Sequence, residues 1–384
     1  MRYALLFLAA AMLPGATLSV GSFEGRHAWI LENGEMRVSV LRGGGHIAEV
    51  RLLSEDPKKA VNPMRVPHYR TIDPSTYEPR HDAVYGTSPS RWLMSGYMGH
   101  LVCFPNYGPA SAEEEKLGFG NHGEAPVADW RQVAERVSGE GVQLTLETRL
   151  ERTGYRMRRV LTLPKTGRVL TVTETIENLQ TFDRPYQWMQ HATFGPPFVE
   201  PGKTVLDASV TEGQTRERAG GSLASGSAAM WPQGKAVDGR QVDLRAMQPM
   251  ERAGTYVALR TDARRREQFF TMFHPGLKVL IGYVTPTEMT PWIADWQENK
   301  GNAPAPWENK VIARGIEFGN TAFDEGIKKA VERGSLFGVP TYSWIAGRGK
   351  REWTYRIFLE EIPEGFGGVK DVVLEGDRVR VVPR

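Results

Sequence analysis

Two histidines and one glutamate stand in local settings that suit proton transfer to a ligand. His122 lies in Gly120-Asn121-His122-Gly123-Glu124 with Trp130 just beyond, and His191 lies in Trp188-Met189-Gln190-His191-Ala192-Thr193-Phe194-Gly195-Pro196-Pro197. Glu317 is the one carboxylate of Ala313-Arg314-Gly315-Ile316-Glu317-Phe318-Gly319, a largely apolar, strand-like run. Just upstream, Pro291 to Asn299 carries Trp292 and Trp296 among Asp295, Gln297 and Glu298. An imidazole and a carboxylate working near neutral pH can deliver one proton and remove another. Flat indole faces beside hydrogen-bonding groups suit the C–H patches and hydroxyls of a sugar. Glu317, His191 and His122 are therefore candidates for catalysis, and Trp130, Trp188, Trp292, Asp295, Trp296 and Arg314 for holding a carbohydrate.

Each of these has an ordinary structural alternative. A loop histidine can be a satisfied polar residue, Glu317 can be the ion-pair partner of Arg314, and both Trp292 and Trp296 can be core. A polysaccharide-cleaving enzyme would need two carboxylates about 5 to 9.5 Å apart, Glu317 with Asp295 or Glu298. A non-catalytic glycan binder would keep the tryptophans without an acid and base at one anomeric centre. The chain has no nucleophile elbow, paired-cysteine motif, HExxH or phosphate-cradling GxGxxG after a strand, so hydride, acyl and nucleotide chemistry are unsupported and no metal or cofactor is expected.

The elements that must position these residues read as strands. Val142, Leu144, Leu146 and Leu150 alternate with polar neighbours, and Leu170, Val172 and Ile176 do the same after the turn Pro164-Lys165-Thr166-Gly167. Met36, Val38 and Val40 lead through Gly43-Gly44-Gly45 to Ala48, Val50 and Leu52, a hairpin pattern repeated from Val372 to Val382 around Glu375-Gly376-Asp377. Asp324 to Arg333, with Phe323, Ile327 and Val331 four apart and Gly334 as its stop, is the one clear helix. With no βαβ alternation, the expected fold is all-β, a large antiparallel sandwich in one domain spanning 21–384. Stretches near 54–90, 104–129 and 214–240 read as long loops, where binding residues concentrate on rigid scaffolds.

At the N-terminus, Arg2, the apolar run Ala4 to Leu13 and Pro14-Gly15-Ala16 form a signal-peptide pattern, removed at about Ser19, so export to the periplasm or medium is expected. The run is half the length of a membrane-spanning helix, and no span is expected. A single cysteine, Cys103, excludes an internal disulfide. A net charge of +3, with basic residues scattered, argues against nucleic acid as a partner.

Order and spacing of several segments resemble the galactose mutarotase-like superfamily, whose best-known enzymes are the aldose 1-epimerases. They are Asn33 to Val40 followed by glycines, the His122-Gly123 loop with its tryptophan, Arg158 to Leu163, Glu177-Asn178-Leu179, His191 and Glu317. The resemblance implies a β-sandwich with a sugar cleft on one sheet. It also implies Glu317 as the general base at the anomeric hydroxyl, His191 as the general acid at the ring oxygen, and His122 as a hydrogen-bonding partner near that oxygen. One departure is that His191 is followed by Ala-Thr-Phe-Gly-Pro-Pro, where family epimerases have an Asn-His-Xaa-Tyr/Phe-Asn context.

Overall fold

The computed structural model describes residues 15–217, 221–376 and 378–384. The period-two segments form strands whose burial alternates as their sequences do: in Val169–Asn178 every second residue is buried, as in the neighbouring Tyr155–Pro164. Among the described residues, 13 strands make one sheet and eight make a second. The two sheets share one core, with Val38, Val50, Ala192, Ile293 and Ile316 from the larger meeting Leu146, Leu161, Val172, Ile281 and Ile357 from the smaller. All-β architecture and sandwich are as the alternation predicts.

Five adjacent strands of the large sheet matter for the site: His100–Cys103, Met189–Phe194, Ile312–Gly319, Trp292–Asn299 and Ala253–Thr261, in that spatial order. Their outward face, Trp292 included, is covered by a second apolar layer that includes Leu93, Tyr97, Tyr107 and Trp307. The covering segments are the long connections at 53–99, 104–130 and 300–311, which carry only short helices such as Arg91–Gly96 and Ala112–Lys116. The C-terminal hairpin, Val369–Glu375 with Arg378–Pro383, packs on the outer face of the smaller sheet.

Two expectations need correction. The 214–240 stretch is only partly loop, because Ala228–Met230 and Gln233–Lys235 extend the large sheet. The helix begins at Gly326, whose φ of 82° breaks regular helix at that point, so Asp324 precedes it. The expected leader, 1–20, lies outside the described residues as far as residue 14. From Thr17, however, the chain is an edge strand, Thr17–Phe23, paired with Arg26–Glu32. Ser19 lies within that strand, and Ala16 is packed in the core.

Behind the Met189–Phe194 strand runs a buried polar network. Arg159 pairs with Glu174 at 2.6 Å, Gln190 Nε2 donates to Glu174 at 2.6 Å, and Gln190 Oε1 is 2.9 Å from His100 Nε2. Such a network is stabilising only when every member is satisfied. Here it fixes the inward face of the strand whose outward face carries His191.

Candidate active site

Directly opposed residues on antiparallel strands project to the same side of the sheet. His191 is paired in register with Glu317 and, on its other side, with Leu101. Glu317 in turn opposes Ala294, whose small side chain leaves room above the carboxylate. One step along, Thr193 and Trp296 flank Gly315. A methyl group on Gly315 would come within 2.9 Å of both His191 Cε1 and Trp296 Cε3, so glycine is what lets the three side chains converge.

His191 Nε2 lies 3.2 Å from Glu317 Oε1, both residues almost fully buried. His191 Nδ1 is 2.9 Å from Thr193 Oγ1. Glu317 Oε2 is buried with no hydrogen-bond partner, an arrangement that costs free energy unless a ligand or water completes it. Burial, reinforced by Asp324, drives the Glu317 pKa well above the usual carboxylate range. Burial, with His122 and His100 nearby, drives His191 well below the usual imidazole value. Both shifts favour the neutral forms, an uncharged carboxyl group beside an uncharged imidazole.

His122 approaches from the loop, its ring centroid 5.4 Å from that of His191 and edge-on to it. Its backbone is left-handed, φ 66°, an uncommon conformation for a non-glycine residue. Two contacts to Gly108 hold it: His122 N–H donates to Gly108 O at 2.8 Å, and Gly108 N–H donates to His122 Nδ1 at 3.1 Å. The second contact makes Nδ1 an acceptor and leaves the ring proton on Nε2. Tyr107 stacks on the ring, and burial lowers the pKa to about 3. His122 is thus a neutral N–H donor, not an acid.

These groups face a cleft of about 340 Å³ that is also lined by Tyr97, Trp296, Trp307, Asn121, Asn302 and Asp324. Tyr97 and Trp307 are held by the guanidinium of buried Arg65, 4.7 and 5.3 Å from their ring centroids. Asp324 pairs with Arg216 at 2.6 Å.

Of the predicted residues, Glu317, His191, His122 and Trp296 meet at the cleft, and the other five do not. Arg314 and Asp295 form a fully buried, bidentate pair on the inward face, so the ion-pair partner of Arg314 is Asp295 and not Glu317. Trp188 is in the sandwich core, its Nε1 donating to Glu174. Trp130 packs against Gly45, where a Cβ would be 2.8 Å away, and under Arg159. Trp292 shares the outward face with Trp296 but is covered by the segment leading to Pro340, whose carbonyl accepts from its Nε1 at 3.0 Å. Glu298 accepts from the Asn302 amide at 3.0 Å and from Gly301 N–H, shaping the 300–311 loop. Neither carboxylate suggested for hydrolysis is therefore available opposite Glu317. Tyr97, Thr193, Trp307 and Asp324 were not singled out by the sequence. Among the described residues no group of three or more His, Cys, Asp or Glu side chains is arranged to hold a metal ion, and no helix is long and apolar enough to cross a membrane.

No family model matches the chain, and no curated protein matches it significantly. Solved structures do share its architecture. A Klebsiella pneumoniae protein provisionally assigned as an aldose 1-epimerase is 12% identical over 91% of this chain and 85% of that one, with a TM-score of 0.62. A galactose mutarotase-like protein from Clostridium acetobutylicum is 10% identical over 91% of this chain and 99% of its own, with a TM-score of 0.56. A galactose mutarotase related enzyme from Lactobacillus acidophilus is 14% identical over 88% and 99%, with a TM-score of 0.53. At such identity the likeness establishes the fold alone: this chain shares the large antiparallel β-sandwich of these galactose mutarotase-like proteins.

Proposed function

We propose that the protein is an aldose 1-epimerase-type enzyme that interconverts the anomers of a free sugar. The observation that carries this reading is the Glu317–His191 contact of 3.2 Å, with Glu317 Oε2 left unpartnered beside it. Opening a hemiacetal requires one proton removed at the anomeric hydroxyl and one delivered to the ring oxygen. Glu317 removes the first, and His191, having received the proton the pair shares, delivers the second. The C1–O5 bond breaks to give the open-chain aldehyde, rotation about C1–C2 exposes its other face, and reclosure returns both protons. His122 Nε2–H donates to the sugar near the ring oxygen without changing charge, while Trp296 and Trp307 cover its C–H faces. The names of the structural neighbours agree with a sugar substrate.

Polarimetry or NMR over a panel of free aldoses tests the reading. Anomer equilibration above the spontaneous rate supports it, whereas sugar binding without acceleration would make the protein a glycan binder. The basic, apolar and helix-breaking order of residues 2–16 also supports export. N-terminal sequencing of protein from its native host tests that point.

A further inference from the structure

Three short contacts join four side chains into one line. Tyr97 Oη lies 2.6 Å from Thr193 Oγ1, Thr193 Oγ1 lies 2.9 Å from His191 Nδ1, and His191 Nε2 lies 3.2 Å from Glu317 Oε1. All four residues are buried. The line ends at Tyr97 Oη and Glu317 Oε2, neither with a further partner among the described residues, and Tyr97 and Glu317 line the same cleft.

The first two contacts are hydrogen bonds and the third is an ion-pair approach; each gap has room for one proton, since two would collide and none would set lone pairs face to face. A phenol, a hydroxyl, a neutral imidazole and a carboxylic acid together own four protons for three gaps. The fourth must point outward from one end. When it sits on Glu317 Oε2, Tyr97 donates to Thr193, Thr193 to Nδ1, and Nε2 to Oε1. Glu317 is then a donor and cannot act as a base. When it sits on Tyr97, Thr193 donates to Tyr97 and Nδ1–H to Thr193. The proton in the last gap then rides on Nε2 or Oε1, and Oε2 is free to accept. Only this second form offers an imidazolium beside a carboxylate. Both forms hold the same number of protons, so a water or ligand hydroxyl spanning the two ends can interconvert them without added acid or base.

We propose that Tyr97 donates to a sugar oxygen in the cleft and that its hydroxyl, relayed through Thr193, sets Glu317 and His191 in their base and acid forms. This rests on the mutarotase reading. Tyr97 is a binding residue in this scheme and Thr193 a positioning residue. The charged and titratable groups around the line are His122 and His100, both neutral through burial, Arg65 against the Tyr97 ring, buried Cys103, and Asp324 paired with Arg216.

The test compares wild type, Tyr97→Phe, Thr193→Val, the double variant and Thr193→Ser. Each is assayed with whichever of D-glucose, D-galactose, D-mannose, D-xylose and L-arabinose wild type turns over fastest. Tyr97→Phe and Thr193→Val should each lower kcat on the order of 10- to 100-fold, and the double variant should be little worse than the poorer single one. Thr193→Ser, which keeps the hydroxyl, should recover most of the rate, and only Tyr97→Phe should also raise KM. In 15N NMR at saturating sugar, His191 Nδ1 should carry a proton in wild type but not in Thr193→Val. Normal kcat in Tyr97→Phe, additive losses, or losses that follow melting temperature with the His191 signals unmoved would overturn the relay. A wild type inactive on every sugar would instead refute the mutarotase reading, and the relay with it.

Discussion

His191 and Glu317 face each other across adjacent antiparallel strands, Nε2 to Oε1 at 3.2 Å, and the residue that permits this is Gly315. Gly315→Ala would place a methyl group 2.9 Å from the His191 ring and 3.3 Å from Glu317 Oε1. Packed side chains would have to move, at a cost typical of overpacking, about 1–3 kcal/mol. The displaced imidazole should cost more in rate than in stability, on the order of 10- to 100-fold in kcat. Parallel melting and rate measurements check this. An unchanged rate would mean that the placement of His191 by this strand pair is not critical.

Trp296 and Trp292 lie four residues apart on one strand face, yet only Trp296 lines the cleft. Trp296→Ala should raise KM roughly tenfold through loss of aromatic contact with the sugar, leaving the melting temperature nearly unchanged. Trp292→Ala removes a fully buried indole and should destabilise the fold by about 3–5 kcal/mol, with KM preserved in the protein that stays folded. Equal effects on KM would show that the two rings do not divide in this way.

Stability should fall as the solution is acidified below pH 6.5. His46 and His100 are buried with pKa values lowered to about 3, chiefly by desolvation. Between the unfolded value of 6.5 and that folded value the unfolded chain binds the extra proton, so each histidine removes up to ~1.4 kcal/mol per pH unit as pH falls through this window. Glu317, raised by burial, acts in the opposite sense: its contribution is full below pH 4.5 and is lost as pH rises through its folded pKa. Melting curves from pH 7 to 4.5 should show a declining midpoint and a shallower decline in His100→Gln. An identical slope in that variant would contradict the assignment.

The sandwich was legible because period-two alternation is a direct imprint of two-sided strands, as Val142 to Leu150 illustrates. The same parity could have sorted the site residues. Arg314 is three residues from Glu317, Asp295 one from Trp296 and Trp188 three from His191, so each points to the opposite face from its neighbour. Parity could not separate Trp292 from Trp296, because what covers Trp292 is a segment more than 40 residues away. Tyr97 and Trp307 sit in irregular connections, where no periodicity tells which side chains turn inward. Glycine and proline neighbours, as in Gly96-Tyr97-Met98-Gly99 and Pro304-Ala305-Pro306-Trp307, are the only local sign.

The central claim is that Glu317 and His191 act as one proton-transfer unit. It is tested most directly by mutarotation rates and melting temperatures of wild type, Glu317→Gln, His191→Asn and the double variant. Each single change keeps approximate shape while abolishing a titrating group, so each should cost on the order of 100-fold or more in rate. The double variant should be little slower than the poorer single one, with all four melting temperatures close together. A normal rate in either single variant, or losses that add and follow a falling melting temperature, would contradict the account.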